Sequence, residues 1–156
     1  MTKHYYGTKR VTAWPEARDG RDGYAVRYED GYTSWSPADA FEAAYKPNGS
    51  LDFAGAITAL KEGRKVARSG WNGKGMWIAL TPGSTFDASF AKPGHASKHR
   101  ADELRHEPCG RDDVPMIVLA PHIDMRAADG TMVVGWLASQ TDMLAEDWFV
   151  LGVPVL

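Results

Sequence analysis

The sequence predicts an α+β domain: an antiparallel sheet with an amphipathic helix packed on it, preceded by a small β-hairpin/helix appendage. Three observations support this. Phe53, Ala56, Ile57 and Leu60 recur at helical spacing. Asp30-Gly31 and Asp129-Gly130 each divide two strand-like runs, the usual mark of a hairpin. The order of elements after residue 50, helix, hairpin, hairpin, short helix and strand, favours antiparallel pairing over βαβ crossovers.

Taken in order, "YYGTKRVTAW" is expected to supply a first strand, and "GYAVRYEDGYTSW" the first hairpin. In "SPAD", Ser36 is placed to cap a helix, with Pro37 at its first position and Asp39 completing a capping box. That helix runs through Phe41 to Tyr45. "KPNGS" reads as a helix stop and turn, which divides the chain into a block at 1–46, a linker at 47–50 and a domain at 51–156. In the domain, Ser50 or Asp52 caps the amphipathic helix and Gly63 ends it. "RKVAR" and "MWIALTP" are strands around a loop containing Trp71 and Trp77. Residues 86–113 are polar and break the pattern, and read as a solvated insertion. "VPMIVLAPHIDMRAADGTMVVGWLASQ" forms the second hairpin, "SQTD" a second capping box with a turn of helix through Met143 to Glu146, and "DWFVLGVPVL" a last strand ending near Pro154.

Composition narrows the function. A formal net charge of -2 over 156 residues gives no broad basic field for long nucleic acid or an anionic membrane. No run approaches the ~20 apolar residues of a membrane helix, and the N-terminus lacks a signal-type apolar stretch, so a cytoplasmic location is expected. The single cysteine, Cys109, has no internal partner and no framing base. His95, His99, His106 and Cys109 are a conceivable zinc set, but no CxxC pair reinforces them, and no metal or cofactor is expected. His122, alone in an apolar strand, reads as structural. Asp142 and Glu146 are the best acidic pair for hydrolysis, although capping already accounts for Asp142.

A binding site for a flat, anionic ligand is better supplied. "RSGWNGKGMW" offers an indole platform, backbone donors freed by glycine, and the cations Arg68 and Lys74. "WLASQTD" offers Ser139, Gln140, Thr141 and Asp142 at the end of a predicted strand.

From Leu51 onward the chain resembles the second family of phage anti-Thoeris proteins, through "DFAGAITALKEGRKVARSGWNGKGMW", "PHIDMRAADG" and most specifically "GWLASQTDMLAEDW". The resemblance implies a compact α+β protein in the cytoplasm of the infected bacterial host. It implies a homotetramer that binds glycocyclic ADP-ribose without cleaving it, and so starves the Thoeris effector of its activator. Relatives that bind cyclic dinucleotides make these an alternative ligand. The family's tryptophan-asparagine pair falls on Trp71 and Asn72, and its polar string on Ser139 to Asp142. Trp71 is then expected to stack on adenine or ribose, Asn72 and Gln140 to bond polar edges, and Asp142 to receive a ribose hydroxyl unless capping occupies it. Lys74 and Arg68 are the candidates for pyrophosphate. Residues 1–46 lie outside this pattern and are similar to "DGYxSWSPxxxFxxAY" segments of small phage proteins of unknown role. The competing readings are an enzyme that degrades the same signal and a protein-binding adaptor.

Overall fold

The computed structural model describes residues 3, 9–71, 75–107 and 114–153. Strands β1 (Thr12–Pro15), β2 (Gly23–Arg27) and β3 (Thr33–Pro37) form an antiparallel sheet in that order, with the predicted hairpin turning at Asp30-Gly31. Gly31 has φ of 85°, and the Asp30 carboxylate accepts the Tyr32 N–H at 3.0 Å. Helix α1 (Ala38–Ala44) follows directly, its Phe41 stacked between Tyr24 and Tyr45 at 4.4 and 4.9 Å. The predicted cap at Ser36 does not form. β3 continues through Pro37, Ser36 pairs with Tyr24 in the ladder, and Pro37 takes the N-cap position with no side-chain bond. Strand pairing holds Ser36 in the sheet before its hydroxyl can reach the helix.

The second part begins with α2 (Phe53–Lys61), where Asp52 accepts the Gly55 N–H at 2.8 Å and Gly63, at φ of 77°, follows the helix. β4 (Val66–Arg68) leads into a 3₁₀ turn at Ser69–Trp71, and β5 (Trp77–Thr81) returns. Residues 86–113 are not wholly irregular. β6 (Ser84–Asp87), a 3₁₀ turn at Ala88–Phe90, α3 (Ala96–Leu104) and β7 (Met116–Leu119) build a subdomain, with β6 and β7 paired as a separate ribbon. Ala91, Ala101 and Ile117 form its core, with Phe86, Ala88 and Leu104 packed against it. The helix is carried by charge pairing, Lys98 with Asp102 and Arg100 with Glu103 and Glu107. His95 precedes α3 and His99 lies on it; among the described residues no metal-binding cluster exists, and Cys109 lies outside them.

β8 (His122–Arg126) and β9 (Met132–Val133) form the hairpin at Asp129-Gly130. The "MIVL" run before it is β7, split from β8 at Ala120-Pro121 and paired elsewhere. α4 (Gln140–Met143) and β10 (Trp148–Val150) complete the order. The main sheet runs β10-β4-β5-β8-β9, every pairing antiparallel. Its inner face carries Val66, Ile78, Met125 and Trp148 against Ala56, Ala59 and Leu60 of α2. The 47–50 segment is bonded to this sheet: Asn48 donates to Val150 O and accepts the Val150 N–H at 2.7 Å. Pro154 lies outside the described residues. Among the described residues no helix is long and apolar enough to cross a membrane.

Candidate functional site

Trp148 is fully buried and organises the site. Its ring meets Trp71 edge-on at 5.3 Å and 77°, and Trp136 at 6.4 Å and 78°, while Trp71 and Trp136 meet at 6.2 Å and 75°. Three mutually edge-to-face indoles satisfy the ring quadrupoles and hold Trp71 at a defined angle. The Trp148 Nε1–H donates to Asp142 O at 3.1 Å, which ties the start of α4 to the same point.

That start is the predicted capping box. Ser139 Oγ accepts the Asp142 N–H at 3.1 Å, and the Asp142 carboxylate accepts the Ser139 N–H at 3.2 Å. The other Asp142 oxygen accepts from Arg68 Nη1 at 2.7 Å and Trp71 Nε1 at 3.2 Å. Arg68 also donates through Nε to Asp147 at 2.8 Å, and Asp147 accepts the Gly70 N–H at 2.8 Å. Arg68 thus stands between two carboxylates, with its guanidinium 5.9 Å from the Trp148 ring centre. Asp147, Trp136 and Trp148 were not among the expected site residues. Asp147 is 79 positions from Arg68, and Trp136 and Trp148 meet the distant Trp71 through ring packing, so no local motif announces them.

The electrostatics follow from this arrangement. Burial pushes the Asp142 carboxyl up, but hydrogen bonds from Ser139, Arg68 and Trp71 outweigh it and leave the group below its usual 3.8. The Arg68 bond, stronger than burial, holds Asp147 below 3.8 as well. Folded values below the unfolded one mean stabilisation present above about 3.8 and lost as pH falls below it through the folded values. Melting temperature is expected to fall steeply with pH in that acid range for the native chain and less steeply for Asp147→Asn. Equal slopes in scanning calorimetry would show that the Arg68 pair does not govern acid stability.

Trp71 is only partly buried and lines a cleft of about 170 Å³, together with Ala67, Arg68, Gly75, Met76, Phe149 and Leu151. Asp142 supports the indole that lines it, while Gln140 and Thr141 are exposed on the first turn of α4 and the Ser139 hydroxyl is engaged with Asp142. The structure therefore brings Arg68, Trp71, Ser139 and Asp142 into one hydrogen-bonded network. Asn72 and Lys74 lie outside the described residues. The helical turn expected to reach Glu146 ends at Met143, so Asp142 and Glu146 do not share a continuous helix, and Glu146 is exposed.

The comparisons with known proteins converge on the part of the chain that holds this network. Residues 51–151 match the family model of the Tad2-like, Thoeris anti-defense 2-like domain. A protein of Bacillus phage SP01, "Thoeris anti-defense 2", is 33% identical over 101 residues, covering 65% of this chain and 94% of that protein. The matched span contains α2, Trp71, the capping box and Trp148, and the chain belongs to the Thoeris anti-defense 2-like family.

Proposed function

We propose that the protein binds a nucleotide immune signal and sequesters it uncleaved, with glycocyclic ADP-ribose as the ligand and a homotetramer as the working form. The single observation that carries this reading is the partly buried Trp71 indole, held by Trp148, Trp136 and Asp142 in the lining of a cleft that suits a flat ring. Stacking on a fixed indole needs no reorganisation when the ligand arrives. Arg68, Ser139 and Asp142 hold the platform, the exposed Gln140 and Thr141 of α4 are assigned polar contacts to the ligand, and Asn72 and Lys74, outside the described residues, keep that role on sequence grounds alone.

The carboxylates support binding over catalysis. A general acid at neutral pH needs a raised pKa, and Asp142 and Asp147 are both shifted down, into an ion pair with Arg68. A cleft of about 170 Å³ is smaller than the ~300 to 1,000 Å³ typical of small-molecule sites. It takes one ring system, and the remainder of a dinucleotide-sized ligand lies beyond it or against a second protomer.

Sequestration is tested by adding the purified protein to glycocyclic ADP-ribose and assaying the mixture on a Thoeris effector before and after heat denaturation. The reading predicts a silent effector that regains activation once heat releases the ligand. Activation that stays lost after heating favours degradation of the signal, and an effector never silenced overturns the ligand assignment in favour of a cyclic dinucleotide or a protein partner.

A further inference from the structure

The main sheet has a second face. Strand alternation puts Val66, Ile78 and Met125 toward α2, so Ala67, Trp77, Arg126 and Phe149 stand on the opposite side. Trp77 and Arg126 are direct cross-strand partners on β5 and β8, and Lys65 Nζ lies 5.2 Å from the Trp77 ring centre. Arg126 Nη1 donates to Gly75 O at 2.7 Å. Gly75, Ala67 and Phe149 also line the Trp71 cleft, so this cationic, aromatic patch adjoins it.

The charges on the two sides of Gly75 differ. Arg68 is neutralised by Asp142 and Asp147, and that cluster carries a net negative charge, which repels a phosphate. Arg126 spends one donor on a neutral carbonyl, and among the described residues neither it nor Lys65 is in a salt bridge. The carboxylate whose charge Arg126 influences, Asp129, accepts the Thr131 N–H and hydroxyl. A substituent at Gly75 would meet Arg126 Nη1 at 3.1 Å, and φ of 67° there favours glycine, so the backbone at this position keeps the guanidinium close to the cleft.

We propose that Lys65, Trp77 and Arg126 form an anion subsite continuous with the Trp71 cleft, and that it takes a phosphate group of the ligand, with Arg126 as the main contact. Arg68 is then a positioning residue that orients Asp142 and Trp71. This rests on the nucleotide-binding reading for its ligand but not for its charge chemistry. It also answers the size of the cleft: a ring sits on Trp71 while the phosphates cross Gly75 toward Arg126.

The test is calorimetric titration of the full chain, native, Arg126→Gln, Arg126→Lys and Trp71→Ala, with two probes, glycocyclic ADP-ribose and inorganic pyrophosphate, and with oligomeric state measured alongside. Arg126→Gln is expected to weaken glycocyclic ADP-ribose by roughly tenfold to a hundredfold, the loss typical of a charge-assisted hydrogen bond, and Arg126→Lys to recover part of it. The Gln effect should shrink as salt rises. Native affinity in Arg126→Gln, with binding lost in Trp71→Ala, would overturn the subsite and leave the ligand reading standing. If the native chain ignores glycocyclic ADP-ribose but binds pyrophosphate through Arg126, the subsite stands and the ligand reading falls. Pyrophosphate binding indifferent to Arg126, or a change confined to oligomeric state, overturns the subsite.

Discussion

Trp148→Ala is expected to cost about 3 to 5 kcal/mol and to take the ligand site with it. The ring is fully buried, touches Phe53 at 5.6 Å, supports both Trp71 and Trp136, and donates to Asp142 O. Its removal leaves a cavity between α2 and the sheet, strips the Asp142 carbonyl of a donor, and removes the surface under the Arg68 guanidinium. Against a total stability of typically 5 to 15 kcal/mol, a loss of that size leaves the domain marginal. Urea denaturation followed by circular dichroism reads it directly. A loss under about 1 kcal/mol would mean that the three indoles are not the centre of the core.

Trp71→Ala is expected to act twice, on stability and on binding. The indole is half-buried, so truncation should cost less than Trp148→Ala, about 2 kcal/mol, part of it from edge-to-face contacts worth about 0.5 to 1.5 kcal/mol each. It also leaves Asp142 without one of its donors. Base stacking on an aromatic side chain is worth about 1 to 3 kcal/mol, so affinity for glycocyclic ADP-ribose should fall about tenfold to a hundredfold in a protein still folded at the assay temperature. Trp71→Phe keeps a smaller platform and should lose less on both counts. Unchanged affinity in a folded Trp71→Ala protein would remove the indole from the ligand site and leave it a packing residue.

Local chemistry made much of this fold legible in the sequence. α2 shows its apolar spacing, its Asp52 cap and its terminal Gly63 within a dozen residues, and the hairpins show their Asp-Gly turns. The "SQTD" box is readable for the same reason, since both of its bonds span three residues. Ser36 carried an equally good local signal and does not cap, because β3 pairs with β2 up to Pro37 and tertiary pairing outweighs one capping bond. The subdomain spanning 84–119 is hidden in the sequence because its core rests on alanines with Ile117, Phe86 and Leu104, a weak hydrophobic pattern scattered over a long stretch. Trp71 and Arg68 were readable as aromatic and cation. Their partners were not: the bonds to Asp142 and Asp147 close loops of more than 70 residues and depend on the sheet order that sets β10 beside β4.

Native mass spectrometry of the full chain mixed with glycocyclic ADP-ribose tests the central claim most directly, because it weighs the assembly and its ligand together. A tetramer that gains the mass of intact ligand is expected, with the same mass recovered when the complex is dissociated. A bound or released species of altered mass, or an assembly that gains nothing at saturating ligand, would contradict it.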